Sequence, residues 1–158
     1  MEALELEFTV ACSPEHAFDM WANRTSLWWP AGHSISGETG LTITFEPHAG
    51  GRVYERTVDG VEHDWGEILV YEKPRRLSYL WHLRQDSADA TEVEITFARR
   101  DEGTAVRIAH RGWDRLGARG ADLRERNRKG WDGLLPHYER ACGLAARETD
   151  RRGDMTQL

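Results

Sequence analysis

Three consecutive segments between Pro74 and Trp113 alternate apolar and polar side chains, and nothing else in the chain constrains its fold as strongly. Successive side chains of an extended strand point to opposite faces. Leu77, Tyr79, Trp81 and Leu83 therefore share one face of the first segment. Val93, Ile95 and Phe97 share a face of the second, and Val106, Ile108 and His110 a face of the third. A period of two marks half-buried strands, and the loop 84–90 and the turn 101–103 separate them. An inward face that carries aromatics and a histidine suits the lining of a pocket as well as the filling of a core.

The flanking sequence supplies the remaining elements. Leu4, Leu6, Phe8 and Val10 alternate as a first strand. Ser13-Pro14-Glu15 then predicts a helix start: the serine caps free N–H groups, proline suits the first helical position, and the carboxylate complements the positive helix end. Ala17, Phe18, Trp21 and Ala22 form its apolar stripe, and residues 23–30 predict a second short helix or turn. Residues 31–40 read as a loop. Strands are expected over 41–45, 52–58 and 63–71, with Asp59-Gly60 as a two-residue hairpin turn. After Trp113 the period becomes helical. Leu123, Asn127, Trp131, Leu134, Leu135, Tyr138 and Cys142 form one stripe of a long helix, which Gly130 and Gly133 weaken and Pro136 is expected to bend.

The expected fold class is α+β, with residues 1–145 as a single domain and 146–158 as a polar tail. A flat sheet of about seven strands is too wide for one helical stripe to cover, so the sheet must curl around the helix. The space enclosed becomes core or cavity.

Composition narrows the function classes. At 158 residues the chain buries roughly 70% of its unfolded surface. A net charge of −6 argues against nucleic acid and anionic membranes as partners. No apolar run approaches the roughly 20 residues of a membrane span. The chain opens directly on a strand, so a cytoplasmic location is expected. Cys12 and Cys142 are the only cysteines and are expected as buried free thiols.

Several motifs occur together in order: Ser13-Pro14-Glu15 with Phe18 and Trp21, then Trp28-Trp29-Pro30, Gly50-Gly51 and Gly66. They continue with Pro74-Arg75-Arg76-Leu77 leading to Trp81, Gly103-Thr104, His110-Arg111-Gly112-Trp113, and Gly130-Trp131 through Leu134-Leu135. Over residues 3–145 the chain resembles the START-like helix-grip superfamily (SRPBCC), which includes lipid-transfer domains and aromatic polyketide cyclases. Within it the chain is most similar to bacterial proteins like the C-terminal domain of the activator of the heat-shock protein 90 ATPase. The resemblance implies a hydrophobic cavity between the long helix and the sheet. It leaves activity open, because one fold hosts many functions.

Candidate ligand-binding residues follow from the faces. Trp28 and Trp29 are either core or a stacking wall. Tyr79 and Trp81 belong to the inner wall, and His110 points toward the helix with Val106 and Ile108. A histidine there is a satisfied core residue or, in an open pocket, a donor or general base. Asn127 interrupts the helix stripe and either meets His110 or a ligand carbonyl across the cavity or lies at the stripe's margin in water. Trp131 is a further candidate on that stripe, whereas His82, on the opposite parity from Trp81, is expected outside. No His-Glu-x-x-His or Cys-x-x-Cys occurs, so no metal and no cofactor is expected. Glu62-His63-Asp64 reads as a solvated charge run. The sequence 32–37 departs from a nucleophile elbow at Ser36. Arginines 115, 119, 124, 126 and 128 form a salt-bridged surface or a docking patch for an acidic partner. The leading expectation is a non-catalytic protein binding a hydrophobic or aromatic small molecule. The alternatives are a chaperone-associated protein and a cyclase-like enzyme using His110 as base, with Asn127 or Tyr79 as donor. Monomer and dimer are both open.

Overall fold

The structure is a computed structural model that describes residues 1–83 and 85–156, with side chains through Leu144. Its strands are β1 (Leu4–Val10), β2 (Thr42–Phe45), β3 (Arg52–Arg56), β4 (Glu62–Glu72), β5 (Arg76–Trp81), β6 (Thr91–Arg100) and β7 (Gly103–Arg111). They form one antiparallel sheet in the order β1-β7-β6-β5-β4-β3-β2. Strands β2 to β7 are thus a meander, and β1 closes on β7 with Leu4 opposite His110 and Phe8 opposite Val106. Tyr79 lies opposite Val93, and Val93 opposite His110. The faces deduced from alternation therefore merge into one apolar surface.

The sheet curves around a long helix, α2 (Gly120–Thr156), in the α+β helix-grip arrangement. Part of the bend is built into β4. Its register slips between Val53 and Tyr54 on β3, and again between Ile68 and Val70 against β5. Such irregularities increase local twist. At Gly66 the neighbouring strand passes so close that an added Cβ would lie 1.7 Å from the Leu80 carbonyl oxygen.

Helix α1 (Pro14–Ala22) begins as its sequence predicts, with the His16 N–H donating to Ser13 Oγ at 3.2 Å. The short helix or turn expected over 23–30 is present as 3₁₀ geometry, whereas the segment 31–40, expected as a loop, opens on a further turn. Two 3₁₀ turns, Thr25–Leu27 and Ala31–His33, stand on either side of Pro30, which lacks the N–H a continuing helix needs. The β3–β4 hairpin also differs from expectation. Thr57 N–H bonds the Val61 carbonyl across a three-residue loop, whose last residue, Gly60, has φ +87°. A left-handed residue at that point is the usual way a three-residue hairpin loop closes.

Leu123, Trp131, Leu134, Leu135, Tyr138 and Cys142 are buried along α2, with Asn127 half-buried. The helix remains one element across Pro136. Residues 146–156, expected as a tail, continue it, while 157–158 lie outside the described residues. Cys12 and Cys142 are buried free thiols. None of the described helices is long and apolar enough to cross a membrane.

Candidate functional site

Side-chain volume along α2 decides where the interior is solid. Toward its C-terminal half, Tyr138 meets Trp21, Trp28 and Phe8 and donates its hydroxyl to the Ala17 carbonyl at 2.6 Å. Toward its start the stripe carries Asn127 and Gly130, and a Cβ on Gly130 would meet nothing within 4 Å. A pocket of about 330 Å³ occupies that space, between α2 and the ends of β5 and β6. Trp29, Trp81, Trp113, Leu116, Leu123 and Trp131 are its main apolar lining. His33, His82, Asp89, Thr91, Arg126 and Asn127 add polar groups.

Two buried polar networks hold this wall in place. The first is centred on Glu55, fully buried on β3. Its carboxylate accepts hydrogen bonds from Trp65 Nε1 at 2.8 Å, Ile35 N at 2.6 Å and Ser36 N at 3.2 Å. Burial alone would raise its pKa, but these donors outweigh it and hold the carboxyl below its ordinary value. The network ties the loop after Ala31–His33 to the sheet and fixes Trp65. The Trp65 ring lies 4.9 Å from that of Trp29 and 5.6 Å from that of Trp81. Trp29 is secured further by its Nε1–H bond to the His33 carbonyl.

The second network runs through His110. Trp131 Nε1 donates to His110 Nδ1 at 3.1 Å. An indole N–H can only donate, so Nδ1 presents its lone pair and the ring proton sits on Nε2. That proton faces Thr91 Oγ1 at 2.6 Å, and the Thr91 hydroxyl in turn lies 3.4 Å from the Trp81 carbonyl. The Trp113 ring covers the imidazole at 4.4 Å, and its Nε1–H bonds the His110 carbonyl. Burial pushes the His110 pKa down to about 3. Protonating Nδ1 would also set two N–H groups against each other. His110 is a neutral strut that orients Trp131 and Thr91, with neither nitrogen left for a substrate.

The seven candidate residues divide accordingly. Trp29, Trp81, Asn127 and Trp131 line the pocket; Trp28, Tyr79 and His110 do not. Trp28 is a core residue, held by its Nε1–H bond to the Met20 carbonyl at 2.8 Å and packed on Trp21. Tyr79 is sealed between Phe45 and Trp81, and burial raises its phenol pKa above the ordinary value. Its hydroxyl and the nearby Trp21 Nε1 both lack a hydrogen-bond partner among the described residues. Strand parity placed Tyr79 and His110 on the correct face, but it gives no depth. His82, expected outside, lines the pocket instead. Strand β5 ends at Trp81, and parity ends with it.

Sequence reasoning missed Glu55. Val53 and Glu55 share the inward parity of β3, so a carboxylate at that parity was the available signal. The arginine-rich flank is mostly engaged within the molecule. Arg119 pairs with Asp89 at 3.2 Å, Arg124 bonds the Glu2 and Ala3 carbonyls, and Arg128 pairs with Glu125 and Asp132. Among the described residues, no cluster of three or more His, Cys, Asp or Glu is arranged to hold a metal ion.

The family model described as activator of Hsp90 ATPase homolog 1-like protein matches residues 11–137. No curated protein matches the chain. Among solved structures, the anthrahydroquino-γ-pyrone synthase Txn09, determined as a complex, is 33% identical with a TM-score of 0.56. The match covers 78% of this chain and 84% of that one. Protein MLL2253 from Mesorhizobium loti is 21% identical, with a TM-score of 0.64 over 87% of this chain and 94% of its own. The Aha1 dimer from Colwellia psychrerythraea is 15% identical, with a TM-score of 0.65 over 91% and 98%.

Proposed function

Because the chain belongs to the family of proteins like the activator of Hsp90 ATPase homolog 1, we propose that it binds a planar aromatic small molecule between α2 and the sheet. The observation that carries this reading is the hollow itself. Trp29, Trp81, Trp113 and Trp131 border a space that Gly130 leaves unfilled on the helix side. Its volume of about 330 Å³ lies at the small end of the range for small-molecule sites, and its apolar walls with a few polar groups match their usual make-up. Indole faces stack on flat π-systems, which favours an aromatic ligand over a flexible lipid. The 33% identity to a synthase of an anthrahydroquino-γ-pyrone supports a fused-ring ligand class.

Titration with anthraquinone, followed by quenching of tryptophan fluorescence, tests the proposal. Saturable quenching is expected in the native protein and its loss in Gly130→Leu, whose side chain would enter the hollow. Absence of saturable quenching, or equal quenching in the variant, overturns it.

The same identity favours a second reading, in which the protein acts on its ligand as a cyclase-like enzyme. The base in that case is not His110, whose ring nitrogens are both engaged. His82 is the better candidate, because it borders the pocket and its ring has no hydrogen bond among the described residues. His82→Gln is then expected to abolish turnover of a bound polyketide while leaving ligand affinity within about threefold; a variant that turns over normally rejects the assignment.

A further inference from the structure

The polar groups around the pocket are unequally committed, and the imbalance indicates what charge an occupant carries. Thr91 is used between His110 and Trp81. The Asp89 carboxylate is neutralised by Arg119 at 3.2 Å. Asn127 spends an amide hydrogen on the Leu123 carbonyl at 2.8 Å. Arg126 is different: it borders the pocket from the exposed side of α2 and has no ion pair or hydrogen bond among the described residues. It sits beside Asn127, one turn before Gly130. The described lining therefore offers one uncompensated positive charge next to an apolar slot, in a protein whose net charge is −6.

Resting on the pocket-binding reading above, we infer that the ligand is an aromatic acid, bearing a carboxylate or an acidic phenol that Arg126 receives at the pocket rim. A guanidinium presents parallel N–H donors that match a carboxylate in a two-pronged pair, and its charge persists at every physiological pH. The ring system enters the tryptophan-lined slot while the acidic group stays at the rim, where it keeps part of its hydration. This division avoids burying an anion, which is costly without full pairing. An exposed guanidinium contributes modestly, so the expected selectivity is about two- to fivefold.

The test compares anthraquinone-2-carboxylate with anthraquinone-2-carboxamide, two flat probes that differ mainly in charge. Both are titrated by tryptophan quenching into the native protein, Arg126→Gln and Gly130→Leu, at low and at roughly 0.5 M salt. The acid is expected to bind about two- to fivefold more tightly than the amide at low salt, with the preference shrinking at high salt. Arg126→Gln should erase the preference, leaving amide affinity and melting temperature unchanged. Equal binding of the two probes, or equal weakening of both by Arg126→Gln, overturns the inference while the pocket reading stands. If neither probe quenches saturably, the pocket reading falls and the inference with it.

Discussion

The two halves of the space between α2 and the sheet use the same materials to opposite ends. In one half Phe18 packs on Phe97, and Trp21 packs on Trp28 and Tyr138, ring against ring. In the other half Trp29, Trp81, Trp113 and Trp131 are just as aromatic, yet they border a hollow. Both halves share one sheet and one helix. They differ in what stands opposite the sheet: α1 with Tyr138 in the filled half, Asn127 and Gly130 in the hollow half. A pocket here is a matter of missing volume on the helix, not of special chemistry on the strands.

That contrast breaks most easily at Trp21. Trp21→Ala would open a second hollow in the filled half and is expected to cost about 3–5 kcal/mol, read as a lower urea midpoint. A loss under about 1 kcal/mol would mean that this half is already loosely packed.

His110 offers the next largest effect. Unfolded, it takes up a proton below about 6.5; folded, it resists until about 3. Between those values the unfolded state binds more protons, so stability falls as pH falls, by about 1 kcal/mol per pH unit. His110→Gln should flatten this slope relative to the native protein in urea melts across the same window. Parallel slopes would show that His110 titrates freely.

Glu55 bears the opposite relation to its ordinary value. Its folded pKa is depressed, so its contribution is present above 4.5 and disappears as pH falls through the folded value. Glu55→Gln is expected to cost about 2 kcal/mol at neutral pH and to blunt quenching by aromatic probes, because Trp65 and the loop at Ile35 lose their anchor. Unchanged stability would remove Glu55 from the pocket's support.

The smallest change in stability comes from filling the hollow half. Replacing Gly130 by leucine restores helix propensity and is expected to raise stability by about 0.5–1 kcal/mol. It should also eliminate ligand quenching. A destabilised Gly130→Leu would mean that the space is smaller than the geometry indicates.

The sequence carried the architecture further than the site. Alternation put Tyr79, Trp81, Val93, Ile95, Ile108 and His110 on one surface, and the helical stripe from Leu123 to Cys142 is the face that α2 buries. Both signals are local and repeat along the chain. Depth is not local: whether His110 borders a hollow or sits behind Thr91 and Trp131 depends on elements far apart in sequence. His82 escaped because alternation holds only while the strand lasts. Glu55 escaped because a carboxylate at an inward position reads as a surface residue until its three donors, on two other segments, are seen.

The path from Trp131 through the side chains of His110 and Thr91 to the Trp81 carbonyl joins the helix to three adjacent strands. Pushing Trp131 aside to admit a larger guest would strand an imidazole lone pair away from water. The hollow should therefore behave as a rigid mould: guests that match its outline are accepted, and those one ring too wide are refused instead of accommodated.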